Sequence, residues 1–340
     1  MSKTKNTDIK PLKVGISFNL KKNISSDTPD AEAEFDDMDT IDAIQSVLES
    51  TGCSVELYEA AEEFPVRLVQ SRPDIVFNIA EGLRGRGREA QVPAILNFLN
   101  IPFTGSDETA LCIGMDKALT KRIVSTFGVN TPKYQIAKCG TLLPNIDLSY
   151  PVIVKPNSEG SSKGISDISI AEDSAVLQRV LKEKMSMYRQ DMLVEEYISG
   201  REFTAGILGN GEDIRVFSPM EIIFNDNAHG IYSYEVKRNY KTFVRYACPP
   251  SINAGLKKEM EDTAKMVYQI LECRDLARVD FRLSPAGELY FIEINPLPGL
   301  APDYSDFPMI AAFNGMDYAA LIRNILDAAL ARYGLQQTTR

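Results

Sequence analysis

A chain of 340 residues, with 44% hydrophobic and 25% charged residues, has enough material for two or three globular domains. Its formal charge of −10 disfavours nucleic acid or an anionic membrane as the main partner. No run approaches the ~18 apolar residues of a membrane span, and the start, Met1 to Lys5, is polar and lacks an apolar signal core. Five scattered cysteines form no close pair, which predicts reduced thiols in the cytoplasm. With one histidine in the chain, His229, chemistry must run on carboxylates, lysines, arginines, backbone amides and metal.

The chain opens with a parallel strand over 13–19. A helix follows with Ile41, Ile44, Val47 and Leu48 on one face, ending near Gly52. A strand at 54–58, a helix at 66–71, a strand at 74–79 and a helix at 90–99 continue the alternation, which predicts a Rossmann-like open α/β sheet over residues 1–115. Ligands gather at the carboxyl ends of such strands, and the loop from Glu81 to Arg88 lies at one of them. From 116 to 198 the texture becomes a small α+β lobe. It has a helix at 117–127, strands at 134–137, 152–155, 166–170 and 192–197, and a helix at 174–184. The rest, 199–340, reads as strands at 202–208 and 214–223, an irregular stretch at 224–248, a helix at 252–273, a hairpin and a last helix at 318–332. With no repeat and no low-complexity linker, the domains are expected to pack closely.

The hairpin is the most informative segment. Val279, Phe281 and Leu283 alternate on one strand, Ile292 and Ile294 on the other, around turn residues 284–288. If Ala286 and Gly287 form its tip, Asp280 faces Glu293 and Arg278 faces Asn295, all on one side of the sheet. Facing carboxylates repel, so a positive charge belongs between them. Mg²⁺, a hard ion shared between carboxylates and phosphates, fits; a solvated acidic edge is the alternative.

Upstream, the strand 152–155 delivers Lys155 into a Gly/Ser loop, Gly160 to Gly164, whose amides suit an anion. The apolar strand from Met192 ends in Glu195, Glu196, Tyr197 and Ile198, near Glu202. It reads either as a nucleoside-binding edge or as a strand end with solvated glutamates. Lys117 sits on a helix, and Tyr232 and Lys237 lie in a segment with the composition of a closing loop or a β-edge. His229 receives no role.

Taken together these segments resemble the ATP-grasp fold, and within it the D-alanine–D-alanine ligase group. The resemblance runs from about Asp74 to the end through Ile101–Ser106, Met115–Lys117, Val154–Pro156, Glu159–Ser162, Val194–Tyr197, Gly200–Phe203, Tyr234–Lys237, Tyr246–Pro249, Arg278–Phe281 and Glu293–Gly299. It implies that Lys117 and Lys155 bind ATP phosphates beneath a cover of Ser161 and Ser162. Glu195, Glu196, Tyr197 and Ile198 would line the adenine pocket, Glu202 would hold the ribose, and Lys237 would reach the γ-phosphate. Asp280, Glu293 and Asn295 would ligate Mg²⁺ (two ions, with Mn²⁺ as an alternative), while Arg278 and the Gly299 amide stabilise an oxyanion beside Ser161. The implied reaction joins a small-molecule carboxylate to an amine through an acyl phosphate, in a homodimer that pairs through its first domain.

Three departures from the group concern the substrates. The group's Gly-Gly-x-Ser-x-Glu loop is replaced by Gly15 to Lys21, with Glu34 or Asp36 as possible acidic substitutes. Its His-Gly and acidic pair are replaced by Glu81, Gly82, Arg84, Arg86 and Arg88, although the Gln91 spacing is kept. The segment 295–308, which includes Ser305, is one residue longer, and Lys163 stands at a normally apolar position. Glu81, Arg88, Tyr232 and Ser305 are therefore the expected substrate contacts, and the pair of substrates is expected to differ from two D-alanines. The competing readings are a phosphotransferase on the same fold, a D-alanine–D-alanine ligase with an atypical loop, and a nucleotide-binding module without turnover.

Overall fold

The structure is a computed structural model, and it describes residues 11–22, 30, 32–141, 145–160, 169–225 and 243–335. Ser161, Ser162, Lys163, His229, Tyr232 and Lys237 lie outside the described residues. Three sheets organise the rest.

The first sheet is parallel, with β1 (Lys13–Phe18) between β2 (Ser54–Glu59) and β3 (Ile75–Asn78). Buried Val14 and Ile16 meet Ile41, Ile44 and Leu48 of α1 (Met38–Ser50) on one face, together with Leu321, Ile325 and Leu326 of the final helix. On the other face Tyr58, Val76 and Phe103 pack with Phe64 and Leu68 of α2 (Phe64–Gln70) and Leu96 of α3 (Gln91–Phe98). Helix α4 (Glu108–Met115), unmarked in the sequence reading, starts at Asp107, whose carboxylate accepts the Thr109 and Ala110 amides as an N-cap. Asp116 caps α5 (Lys117–Ser125) in the same way through Leu119.

The second sheet, antiparallel, has the order β4 (Tyr134–Ala137), β7 (Met192–Glu196), β5 (Val152–Pro156), β6 (Ile170–Ala171). Helix α6 (Ser174–Tyr188) lies on it through Leu177, Val180 and Leu181. The third sheet has six strands: β11 (Val244–Ala247), β10 (Met220–Phe224), β8 (Arg201–Leu208), β12 (Leu276–Leu283) and β13 (Leu289–Asn295) in that order, with β9 (Arg215–Val216) paired to β8. Helix α7 (Ala254–Ile270) covers one face, and α8 (Asp306–Phe313) and α9 (Tyr318–Arg332) the other.

Several expectations change. The strand expected over 214–223 is two strands, divided where Pro219 offers no N–H to the ladder. The stretch expected to be irregular over 224–248 ends in β11, paired with β10. Helix α8 was not visible as a helix because its sequence is apolar on all sides and holds Pro308; that proline falls in the first turn, where the missing N–H costs little. The hairpin register holds at the site for a reason the sequence hides. The turn spans 284–288 with Gly287 at φ +87°, so Leu283 pairs with Leu289 and not with Tyr290. A bulge at Ile292 then restores the pairing of Asp280 with Glu293 and Arg278 with Asn295.

Candidate active site

A cavity of ≈ 490 Å³ opens where the three sheets meet. Its walls come from the segment 33–40 of the first sheet's region, the loop bearing Glu81 and Glu89, Lys117, Glu159 and Gly160, the end of β13, and residues 295–306. The sequence reading of Glu81, Lys117, Arg278, Glu293, Asn295, Gly299 and Ser305 thus converges on one space.

On its β12–β13 wall, Arg278 grips Asp280 with two hydrogen bonds, Nε to Oδ1 at 3.0 Å and Nη2 to Oδ2 at 2.9 Å. The Thr204 hydroxyl donates to Asp280 Oδ1 at 2.7 Å, and Asn295 Nδ2 to Oδ2 at 3.2 Å. The Arg278 Nη1 lies 3.6 Å from buried Asp306. Burial opposes the guanidinium's charge, but Asp280 and Asp306 hold it firmly protonated. Glu293 Oε2 is buried without a hydrogen bond, 3.3 Å from Lys117 Nζ. Burial pushes this carboxyl up, yet Lys117, Lys155 and Arg278 outweigh it and hold the group at about 2. The charge between the facing acids is therefore supplied in part by the chain's own Arg278 and Lys117.

Among the described residues no group of three or more His, Cys, Asp or Glu is arranged as a metal cluster. The candidate set of Asp280, Glu293 and Asn295 has two carboxylates and one amide, all offering hard oxygens. The unbonded Glu293 Oε2 is the observation that fits it to a cation.

Behind this wall is a buried ion triad. Lys155 Nζ lies 2.6 Å from Glu195 Oε1, and Lys121 Nζ lies 3.1 Å from Oε2 and donates to Thr131 at 2.9 Å. Burial lowers the Lys121 ammonium to about 8 despite its acidic neighbour, while Glu195 is held below its usual range against burial by the two lysines. The Glu195 side chain is thus committed to positioning lysines. Glu196 turns instead to the Ser149 amide at 3.0 Å. Arg282 organises the other nucleoside candidates: it donates to Tyr197 Oη and the Ile198 carbonyl at 3.2 Å each and to Glu202 at 2.7 Å, and it lies over the Tyr197 ring. Lys121 and Arg282 were missed, although each carried a signal: Lys121 is one helical turn from Lys117, and Arg282 shares the strand face of Arg278 and Asp280.

On the opposite wall the loop turns at Gly82, φ +78°, where a Cβ would lie 2.0 Å from the Arg88 carbonyl. Only glycine allows this reversal, and it brings Glu81 beside Arg88 and Glu89. Arg88, expected to face a substrate, is buried and engaged within the protein. Its Nη2 donates to Glu34 Oε2 at 2.7 Å and to Glu159 at 3.0 Å, its Nε to Glu34 at 3.1 Å and its Nη1 to the Ser158 carbonyl at 3.0 Å. Glu34 also accepts the Gly160 amide at 2.7 Å, so it anchors the entrance to the Gly/Ser loop. Burial lifts Glu81 well above the carboxylate range and Glu89 to about 8, with neighbouring acids adding to the effect. Asp36 rises to about 7 by burial. Gly299 meets Ser305 so closely that a Cβ would lie 2.8 Å from its Oγ, and that Oγ accepts the Ala301 amide at 3.2 Å.

Residues 123–327 match the family described as D-ala D-ala ligase C-terminus. The chain is 35% identical over 286 residues to the D-alanine–D-alanine ligase of Aquifex aeolicus, covering 84% of this chain and 92% of that one. It is 36% identical to the uncharacterized protein y4sG of Sinorhizobium fredii, over 76% of this chain and 75% of the relative. A crystal structure of the Bacillus anthracis D-alanine–D-alanine ligase complexed with ATP superposes with a TM-score of 0.73 at 23% identity, over 95% of this chain and 99% of that one. The fold is ATP-grasp, and the protein is an ATP-dependent ligase that forms a carbon–nitrogen bond. The chain belongs to the D-alanine–D-alanine ligase family. ATP and a divalent metal ion go with that chemistry, and no described helix is long and apolar enough to cross a membrane.

Proposed function

We propose that the protein activates a carboxylic acid as an acyl phosphate and joins it to an amine, with a substrate pair other than two D-alanines. The observation that carries the reading is the continuity of one cavity from the Arg278, Glu293 and Asn295 wall to an acidic wall at Glu81 and Glu89. The nucleotide end keeps its charge pattern, while the substrate end carries carboxylates.

A carboxylate is a poor electrophile, and its attack on a phosphate brings two anions together. Lys117 and Lys155 lower that repulsion, with Glu195 and Lys121 fixing where Lys155 points. Arg278, oriented by Asp280, faces the cavity as the donor to an oxyanion when the amine adds to the carbonyl, together with the Gly299 amide. The Tyr197, Ile198 and Glu202 group, aligned by Arg282, takes the nucleoside, and Ser161, Ser162 and Lys237 complete the phosphate site. Asp280, Glu293 and Asn295 would hold Mg²⁺, as two ions or with Mn²⁺ in its place, and the metal would supply charge neutralisation at the phosphates. Ser305 and Tyr232 contact the second substrate.

We assign residues 1–115, 116–198 and 199–340 to three domains and place the protein in the cytoplasm. The patch formed by Pro65, Val66, Val69, Ile95 and Phe98 is the contact of a homodimer. Val66, Val69 and Phe98 are 57%, 68% and 90% exposed, an apolar surface that a second copy would cover.

The test is phosphate release across paired carboxylates and amines with Mg·ATP. Release that needs both partners, with transfer of labelled oxygen from carboxylate to phosphate, is expected. Efficient turnover with D-alanine alone would overturn the substrate reading. Turnover without oxygen transfer would overturn the acyl phosphate, and ADP formation with a stable phosphorylated product in place of released phosphate would favour a phosphotransferase.

A further inference from the structure

The acidic wall holds more carboxyl groups than one amino acid's ammonium group answers. Of Glu34, Glu81, Glu89 and Glu159, the first and last share Arg88, which hydrogen-bonds both. Glu34 further accepts the Gly160 amide, and Glu159 accepts Gln190 Nε2 at 2.6 Å. Glu81 and Glu89 have neither a hydrogen bond nor an ion pair with any described residue. Glu89 is only 8% exposed, and both residues line the cavity.

A carboxylate removed from water without a partner is costly, and proteins retain such groups where a partner arrives with the ligand. The neighbouring cations are already committed, Lys117 to Glu293 and the Glu159 carbonyl, Arg88 to Glu34 and Glu159. The backbone reversal at Gly82 brings these two carboxylates, unpartnered among the described residues, to the same side of the cavity. An α-ammonium group satisfies one of them; the second calls for another cationic nitrogen.

We propose that Glu81 and Glu89 select a first substrate with a cationic side chain, an α-amino acid carrying a second amine or a guanidinium group. This rests on the ligase reading above and supplies its substrate class. The two sources of the cation differ in reach and shape: an ammonium presents a point charge and a guanidinium a planar fork.

The experiment is calorimetric titration of the whole protein with ornithine, lysine, arginine and alanine, each as both enantiomers, with and without a non-hydrolysable ATP analogue and Mg²⁺. At least one basic amino acid should bind ten-fold or more tightly than alanine of the same hand. Glu89→Gln and Glu81→Gln should each reduce that preference to about three-fold or less while the analogue still binds. Equal binding of alanine and the basic amino acids overturns the inference, as does an unchanged preference in both variants or no binding of any basic amino acid. Because the analogue is titrated in the same series, its failure to bind wild-type protein counts against the ligase reading, whereas its binding alongside any of those results isolates the failure to this proposal.

Discussion

Lys155 of β5 and Glu195 of β7 meet diagonally across adjacent strands of the second sheet, 2.6 Å apart and almost completely buried, with Lys121 closing on the second carboxylate oxygen at 3.1 Å. Removing the carboxylate leaves two buried ammonium groups close together without their shared counter-charge. Glu195→Ala should therefore lower stability by about 3–5 kcal/mol, the range for breaking a buried pair. Urea unfolding measures it, and a loss below 1 kcal/mol would mean that the lysines find other partners.

Glu34 and Arg88 tie the first sheet's region to Glu159 and Gly160 at the phosphate loop. A double-mutant cycle of Glu34→Ala and Arg88→Ala should give a coupling of about 0.5–3 kcal/mol in unfolding free energy. Additive effects would show that the link carries no energy.

Stability should fall as pH rises through neutrality in the absence of substrates. Glu89 is raised to about 8 and Asp36 to about 7, each by burial first. A raised folded value means that the folded state binds protons the unfolded chain has released. The stabilising contribution is complete below the unfolded values of 4.5 and 3.8 and is lost as pH climbs through about 7 and 8. Glu34, Arg88, Lys117 and Glu159 act on Glu89 in the same range of space. Urea midpoints at pH 5 and pH 8.5 test the sign, and Glu89→Gln should flatten the difference.

Arg278→Lys should reduce kcat by about 10²–10³, the cost of losing one oxyanion donor. Lysine keeps the charge but cannot reproduce the two-pronged grip on Asp280 that aims the guanidinium. Binding of the ATP analogue should change far less than kcat. Equal losses in both would make Arg278 a structural residue.

Phe98→Asp should convert a dimer into a monomer in sedimentation velocity, since Phe98 projects at 90% exposure from the apolar patch with Val66 and Val69. A wild-type monomer at micromolar concentration would remove the dimer reading.

Much of the site could be read from residue order. Strand alternation put Arg278, Asp280, Glu293 and Asn295 on one face, and a lysine at a strand end pointed to phosphate. The register came out right through two compensating features: a longer turn at 284–288 and a bulge at Ile292. Neither leaves a mark in hydrophobic periodicity, since both shift pairing by one residue. Helix α8 was hidden for a related reason. A segment apolar on every side has no helical stripe to reveal its period.

The sequence by itself determined the chemistry, because carboxylates, lysines and one arginine at strand ends in a fixed order define charge wherever they are brought together. Tertiary structure alone decided which charges are spent inside the protein. Glu195 and Arg88 looked available for ligands, yet each is consumed by partners distant in sequence: Lys121 and Lys155 for one, Glu34 and Glu159 for the other. Among the described residues, Glu81 and Glu89 have no such partners. Pairing across 40 to 74 residues depends on how strands and helices come together within a lobe and, for Arg88 and Glu159, between lobes, and a burial cost exists only once water has been excluded.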